Sequence, residues 1–133
     1  MQTADLRVAL FSGNYNYVRD GANQALNRLV GYLLSRGAAV RVYSPTVEVP
    51  AFPPTGDLFG VPALAIPGRK EYRIPISLPR SARRDLAAFG PNVVHVSSPD
   101  VTGHRAVPWA RDRNLPILAS VHTRFETYFR YYN

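Results

Sequence analysis

Three short stretches hold the residue types that could do chemistry. In SVHTRFETYF, His122 ends an apolar strand pattern and is followed by Thr123, Arg124 and Glu126. An imidazole at such a strand end can hydrogen-bond a ligand or change charge near neutral pH. In the second stretch, Gly13 and Gly21 flank a polar loop of seven residues, NYNYVRD. Gly21 opens a helical pattern whose first N–H groups are unpaired and partly positive, so a phosphate could bind there without any side chain. A glycine needed only for a tight turn is the plainer reading of the residues. The third stretch, SSPDVTGH, offers Ser98 and Asp100, either of which suits a helix N-cap.

Other chemistries find no support. The glycines do not form G-x-G-x-x-G, which argues against an ordinary dinucleotide domain, and no G-x-S-x-G elbow is present. The chain has no Cys, and its three His are scattered without ligand spacing, so neither disulfides nor a metal site is expected. His95 lies inside the strand pattern VVHVS and reads as a satisfied interior histidine, whereas His104 reads as a solvated helix residue.

The elements that must position these groups alternate. LRVALF (6–11), AVRVYS (39–44), VPALAI (61–66), NVVHVS (92–97) and ILASV (117–121) read as five strands. GANQALNRLVGYLLSRG carries its apolar residues on one helical face, with Asp20 suited to the N-cap and Gly37 to the C-terminal stop. LPRSARRDLAAFG (78–90) and VTGHRAVPWARDR (101–113) read as further helices, the latter strained by Pro108. Residues 45–60, with four prolines, read as an irregular surface connection. This alternation predicts an α/β fold: a Rossmann-like, mostly parallel sheet with helices on both faces, three layers α/β/α. Ligands of such sheets sit beyond the carboxyl ends of the strands, where strand order reverses. Loop 12–21, loop 97–104 and residues 122–126 should therefore share one crevice.

At 133 residues and 46% hydrophobic content, the composition fits one globular domain. No apolar run is long enough to span a membrane, and the N-terminus does not read as a signal peptide, so a cytoplasmic location is expected. The net charge of +7 is uneven: residues 1–66 hold five Arg against four acids, and residues 67–133 hold ten Arg and one Lys against five. The densest block, RKEYRIPISLPRSARR (69–84), has six cations and only Glu71 opposing them. Arginine used for solubility explains this, and so does a surface facing phosphate. No basic helix with interleaved aromatics is present, so nucleic acid is not an expected partner.

Two long stretches together resemble one family. LRVALFSGNYNYVRDGANQALNRLVGYLLSRGAAVRVYSP is similar to the opening of glycosyltransferase family 4 enzymes, and PNVVHVSSPDVTGHRAVPWARDRNLPILASVHTRFETYFRYYN resembles their later stretch. The resemblance implies part of the N-terminal, acceptor-side domain of a GT-B enzyme. Residues 1–133 would form that single domain, truncated, with the donor-binding C-terminal domain absent and the fragment inactive alone. It also implies a retaining transfer from a UDP- or GDP-linked sugar, needing no cofactor or bound metal. His122 would stand beside the transferred sugar, and Gly13 and Gly21 near the donor diphosphate. Tyr17, Ser98, Asp100, Thr123, Arg124, Arg69 and Arg73 would line the acceptor side or the cleft. Arg124 departs from the small or acidic residue of many relatives, so the family's donor and acceptor preferences do not carry over. The basic block would suit a phosphate-bearing or membrane-lipid acceptor and peripheral membrane association. The alternative is a stand-alone α/β module that binds an anionic ligand.

Overall fold

The computed structural model describes residues 2–13, 15, 21–46, 50–66, 69–75, 77–97 and 100–119. A short 3-10 turn at Thr3–Asp5 leads into β1 (Arg7–Phe11), α1 (Gly21–Ser35), β2 (Ala39–Ser44), β3 (Asp57–Gly60), β4 (Ala63–Ile66), β5 (Arg69–Pro75), α2 (Arg80–Phe89), β6 (Val93–Val96), α3 (Val101–Asp112) and β7 (Ile117–Ala119). Five strands form a sheet in the order β3-β2-β1-β6-β7, and every pairing within it is parallel. The expected Rossmann-like three-layer architecture is therefore present.

The layers follow from side-chain alternation along the strands. Val8 and Leu10 of β1 join Val40 and Val42 of β2 in a cluster with Leu26 and Val30 of α1. Ala9 and Phe11, pointing the other way, pack with Tyr43, Val94, Ala82 and Leu86 of α2, and Ala106, Trp109 and Ala110 of α3. One helix thus covers one face and two cover the other.

Two expectations are corrected. Residues 61–66 do not supply the third strand of the parallel sheet. Ala63–Ile66 pairs antiparallel with β5 in a separate two-stranded sheet, with a bulge between Ala65 and Ile66. The third parallel strand is Asp57–Gly60, inside the stretch read as an irregular connection, and it runs beside β2 from Arg41↔Asp57 to Ser44↔Gly60. Its four residues carry little β-pattern of their own, and it forms because the edge of β2 offers unpaired backbone groups. Pro108 is the second correction. α3 runs unbroken from Val101 to Asp112 across it. Pro108 and His104 are both exposed, so the carbonyl four residues before the proline can turn to water.

The helix ends are set locally. Gly37, at φ +90°, closes α1 with its N–H on Leu34 O and the Ala38 N–H on Leu33 O, a paired stop that satisfies the last carbonyls. Asn114, at φ +56°, does the same for α3, through Arg111 O and, from Leu115, Ala110 O. α2 ends on Gly90 at φ +65°.

Candidate functional site

The strand order turns at β1. The chain goes from β1 to β2 on one side and later to β6 on the other, so the switch point lies between β1 and β6. Their carboxyl ends are level, with Phe11 paired to both Tyr43 and Val96, and Val96 to Ala119. Ser97 stitches the junction: its N–H and its hydroxyl both donate to Phe11 O, each at 2.9 Å. Ser12 and Gly13 leave from this edge, α1 begins near it at Gly21, and α3 begins at it after Asp100.

Gly13, Gly21 and Asp100 are therefore brought to one rim, as parallel connectivity demands. Arg69 and Arg73 lie on β5, in the hairpin outside the main sheet. Tyr17, Ser98, His122, Thr123 and Arg124 lie outside the described residues, as does Asp20. Asp100 caps α3, its Oδ1 accepting from the Gly103 N–H at 2.8 Å, so a carboxylate already occupies that positive end. The first turns of α1 and α3 both carry no acid, and the residue before α1, Asp20, lies outside the described residues. Gly21 is exposed, its φ is not in the left-handed region, and a Cβ there would meet nothing within 4 Å among the described residues. No tight turn or close packing in the described structure requires glycine at that position.

The sequence reading missed the groups that hold the loop after β1. Tyr15 is fully buried, and its hydroxyl donates to Thr55 O at 2.7 Å. Asn27, on α1, donates to Tyr15 O at 2.9 Å and Asn23 O at 2.8 Å, and its Oδ1 accepts from the Thr55 N–H at 3.0 Å. One amide thus ties helix, rim loop and the connection to β3 together. Burial pushes the Tyr15 phenol well above its ordinary value, so it stays neutral. The available signal was an Asn on the apolar face of α1, a position where an uncompensated polar group would be costly.

His95 is buried in β6, so the interior reading holds. His104 is exposed, as expected. On the α2 side, Arg41 Nη1 donates to Asp85 Oδ1 at 2.6 Å and the Tyr43 hydroxyl to Oδ2 at 2.7 Å. The hydrogen bond to Asp85 raises the Arg41 pKa, while burial first and then Asp85 hold the Tyr43 phenol far above its usual range. This cluster ties β2 to α2.

Fold and strand order together define a doubly wound α/β domain whose switch point lies between β1 and β6. The family Glycosyltransferase Family 4 matches residues 19–133. The chain is 29% identical to the sulfoquinovosyl transferase SQD2 of Arabidopsis thaliana over 95% of its own length and 25% of that protein's. It is 28% identical to a GDP-mannose-dependent alpha-mannosyltransferase of Mycolicibacterium smegmatis over 89% of its length and 32% of the relative's. The chain belongs to glycosyltransferase family 4, and it spans about a quarter to a third of those two relatives.

Proposed function

We propose that this domain forms the acceptor-side half of a retaining glycosyltransferase that moves a sugar from a nucleotide-sugar to an acceptor hydroxyl. Family membership supports the reaction class, and the name of the GDP-mannose-dependent relative supports a nucleotide-linked donor. The observation that carries the site is Gly21, a glycine that the described packing does not need, at the first position of α1, the helix that follows β1 at the switch point. Its missing side chain leaves the diphosphate free to approach the helix N–H groups. In the transfer, the acceptor oxygen bonds to the anomeric carbon as the carbon–oxygen bond to the diphosphate breaks. The acceptor proton passes to the departing phosphate, and His122 orients the sugar or stabilises its developing charge. A phosphate-bearing or lipid acceptor fits the basic block at 69–84, and no cofactor is required by this scheme.

The test is transfer or hydrolysis of UDP- and GDP-sugars by the full-length protein. His122→Ala should lower kcat, and Gly21→Val should raise the donor KM with the melting temperature nearly unchanged. A Gly21→Val enzyme with the wild-type donor KM would remove the diphosphate role. A protein that binds anions but transfers no sugar would favour the binding module.

A further inference from the structure

The helix that follows β1 at the switch point is held from one side by a short piece of backbone. Along α1, Asn27, Val30, Gly31 and Leu34 share one face at helical spacing. Thr55 and Gly56, just before β3, are seated on that face. A Cβ at Gly31 would stand 3.6 Å from Thr55 Cγ2. One at Gly56 would meet Val30 Cγ1 at 3.2 Å and Leu34 Cδ1 at 3.4 Å, a close approach at φ +82° that suits glycine. Thr55 gives both of its backbone groups to this junction: its N–H donates to Asn27 Oδ1 at 3.0 Å, and its carbonyl accepts from the Tyr15 hydroxyl at 2.7 Å. Asn27 Nδ2 donates to Tyr15 O and to Asn23 O, one turn nearer Gly21. Each of these amide bonds goes to backbone, at a position where Asn27 is 7% exposed and Tyr15 is fully buried.

Burial alone does not call for an amide at position 27. The cluster on this face includes Leu26, Val30 and Val42, and an aliphatic residue at 27 would add to it without desolvating a polar group. Asn is also a weak helix former in a helix interior. What the amide supplies is position: directed bonds that hold the Tyr15 backbone against α1 and fix both to Thr55. Tyr15 lies between Gly13 and Gly21, so pinning it sets the path of the loop relative to the helix start. We infer that Asn27 and Tyr15 are positioning residues for sugar transfer, holding the loop between Gly13 and Gly21 so that the N–H groups at the start of α1 meet the donor diphosphate. The inference rests on the diphosphate reading of Gly21. Backbone N–H groups have no flexible side chain with which to follow a displaced ligand. A shift of about 1 Å in the loop should therefore cost on the order of 10- to 100-fold.

The experiment measures UDP and GDP binding by calorimetry, and donor and acceptor KM in transfer, on the full-length protein well below each variant's melting temperature. Asn27→Leu removes the three amide bonds and should weaken nucleotide binding and raise the donor KM by roughly 10- to 100-fold, with the acceptor KM unchanged. Asn27→Asp keeps an acceptor for the Thr55 N–H but loses the donor to Tyr15 O, and should behave like Asn27→Leu. Tyr15→Phe removes one bond and should raise the donor KM by roughly 3-fold; it carries the test should the Asn27 variants not fold. Asp85→Ala, which breaks the β2–α2 cluster, is the control for lost stability and should leave the donor KM unchanged. A wild-type donor KM in Asn27→Leu and Tyr15→Phe, with only the melting temperature lowered, would overturn the inference. So would an equal rise in Asp85→Ala. A rise in the Asn27 variants with none in Gly21→Val would take the diphosphate away from Gly21 and leave the positioning role standing. A protein that bound neither nucleotide would overturn both.

Discussion

The two faces of the sheet solve the same burial problem with different materials. The α1 face is mostly aliphatic: Val8, Leu10, Leu26, Val30, Val40 and Val42 fill it, and its described polar content includes buried Asn23, the Tyr15 hydroxyl and an amide clamp around Asn27. The α2–α3 face is aromatic and charged. Phe11 stacks on Tyr43 at 5.0 Å between ring centroids, Tyr43 meets Phe59 at 5.6 Å, and Asp85 is held by Arg41 and Tyr43. Two guanidinium groups lie over the Phe89 ring, Arg7 at 4.7 Å and Arg41 at 5.5 Å from its centroid. The outer surfaces differ too, with Leu29, Tyr32 and Leu34 exposed on α1 and arginines on the other layer. A single strand, β2, feeds both solutions: Val40 and Val42 go one way, Arg41 and Tyr43 the other. The difference teaches that the helix layer with the basic exterior is anchored by directional bonds, while the α1 layer is held mostly by apolar burial.

The largest expected effect compares the two cores. Leu86→Ala, at a fully buried position, should cost about 3–5 kcal/mol in urea unfolding, and Leu26→Ala about 2–4 kcal/mol. A larger loss at Leu26 would reverse the ranking of the faces. Next comes Asp85→Ala, which strands a guanidinium and a phenol and should cost about 1–3 kcal/mol. A double-mutant cycle with Tyr43→Phe should show coupling, and strict additivity would mean that the Tyr43–Asp85 bond contributes nothing.

A pH series probes both faces at once. Tyr15 and Tyr43 have folded-state pKa values raised above the ordinary 10.0. Above that pH the unfolded chain loses protons that the native chain keeps, so stability is complete below pH 10.0 and falls as pH rises beyond it. Melting temperature should drop on the alkaline side, and Tyr43→Phe or Tyr15→Phe should each flatten the decline. The smallest contrast is at the helix ends. Gly37→Ala combines left-handed strain with a Cβ approach of 3.2 Å to Ala4, whereas Gly90→Ala meets open space. Losses of about 1.5 and about 1 kcal/mol should follow.

Most of the layered fold was legible because local pattern carries burial. LRVALF, AVRVYS and NVVHVS read as strands from continuous apolarity, and the stops at Gly37 and Gly90 read from glycine's tolerance of positive φ. The rim followed from connectivity alone, since strands joined through helices must run parallel and must deliver Gly13, Gly21 and Asp100 to one edge. Asn27 and Tyr15 were not legible, because their role depends on a backbone brought from residue 55.

By itself the sequence determined the three helices, where they stop, every strand but β3 and β5, and that the charge gathers in the second half. Only the tertiary structure decided which neighbours those segments take. Apolarity records that VPALAI is buried and says nothing about beside what, so residues 63–66 could leave the main sheet while Asp57–Gly60 took the edge of β2. Charge likewise records how many arginines there are. Their gathering on one face depends on α2 and α3 packing side by side on the sheet, which is a matter of three-dimensional contact.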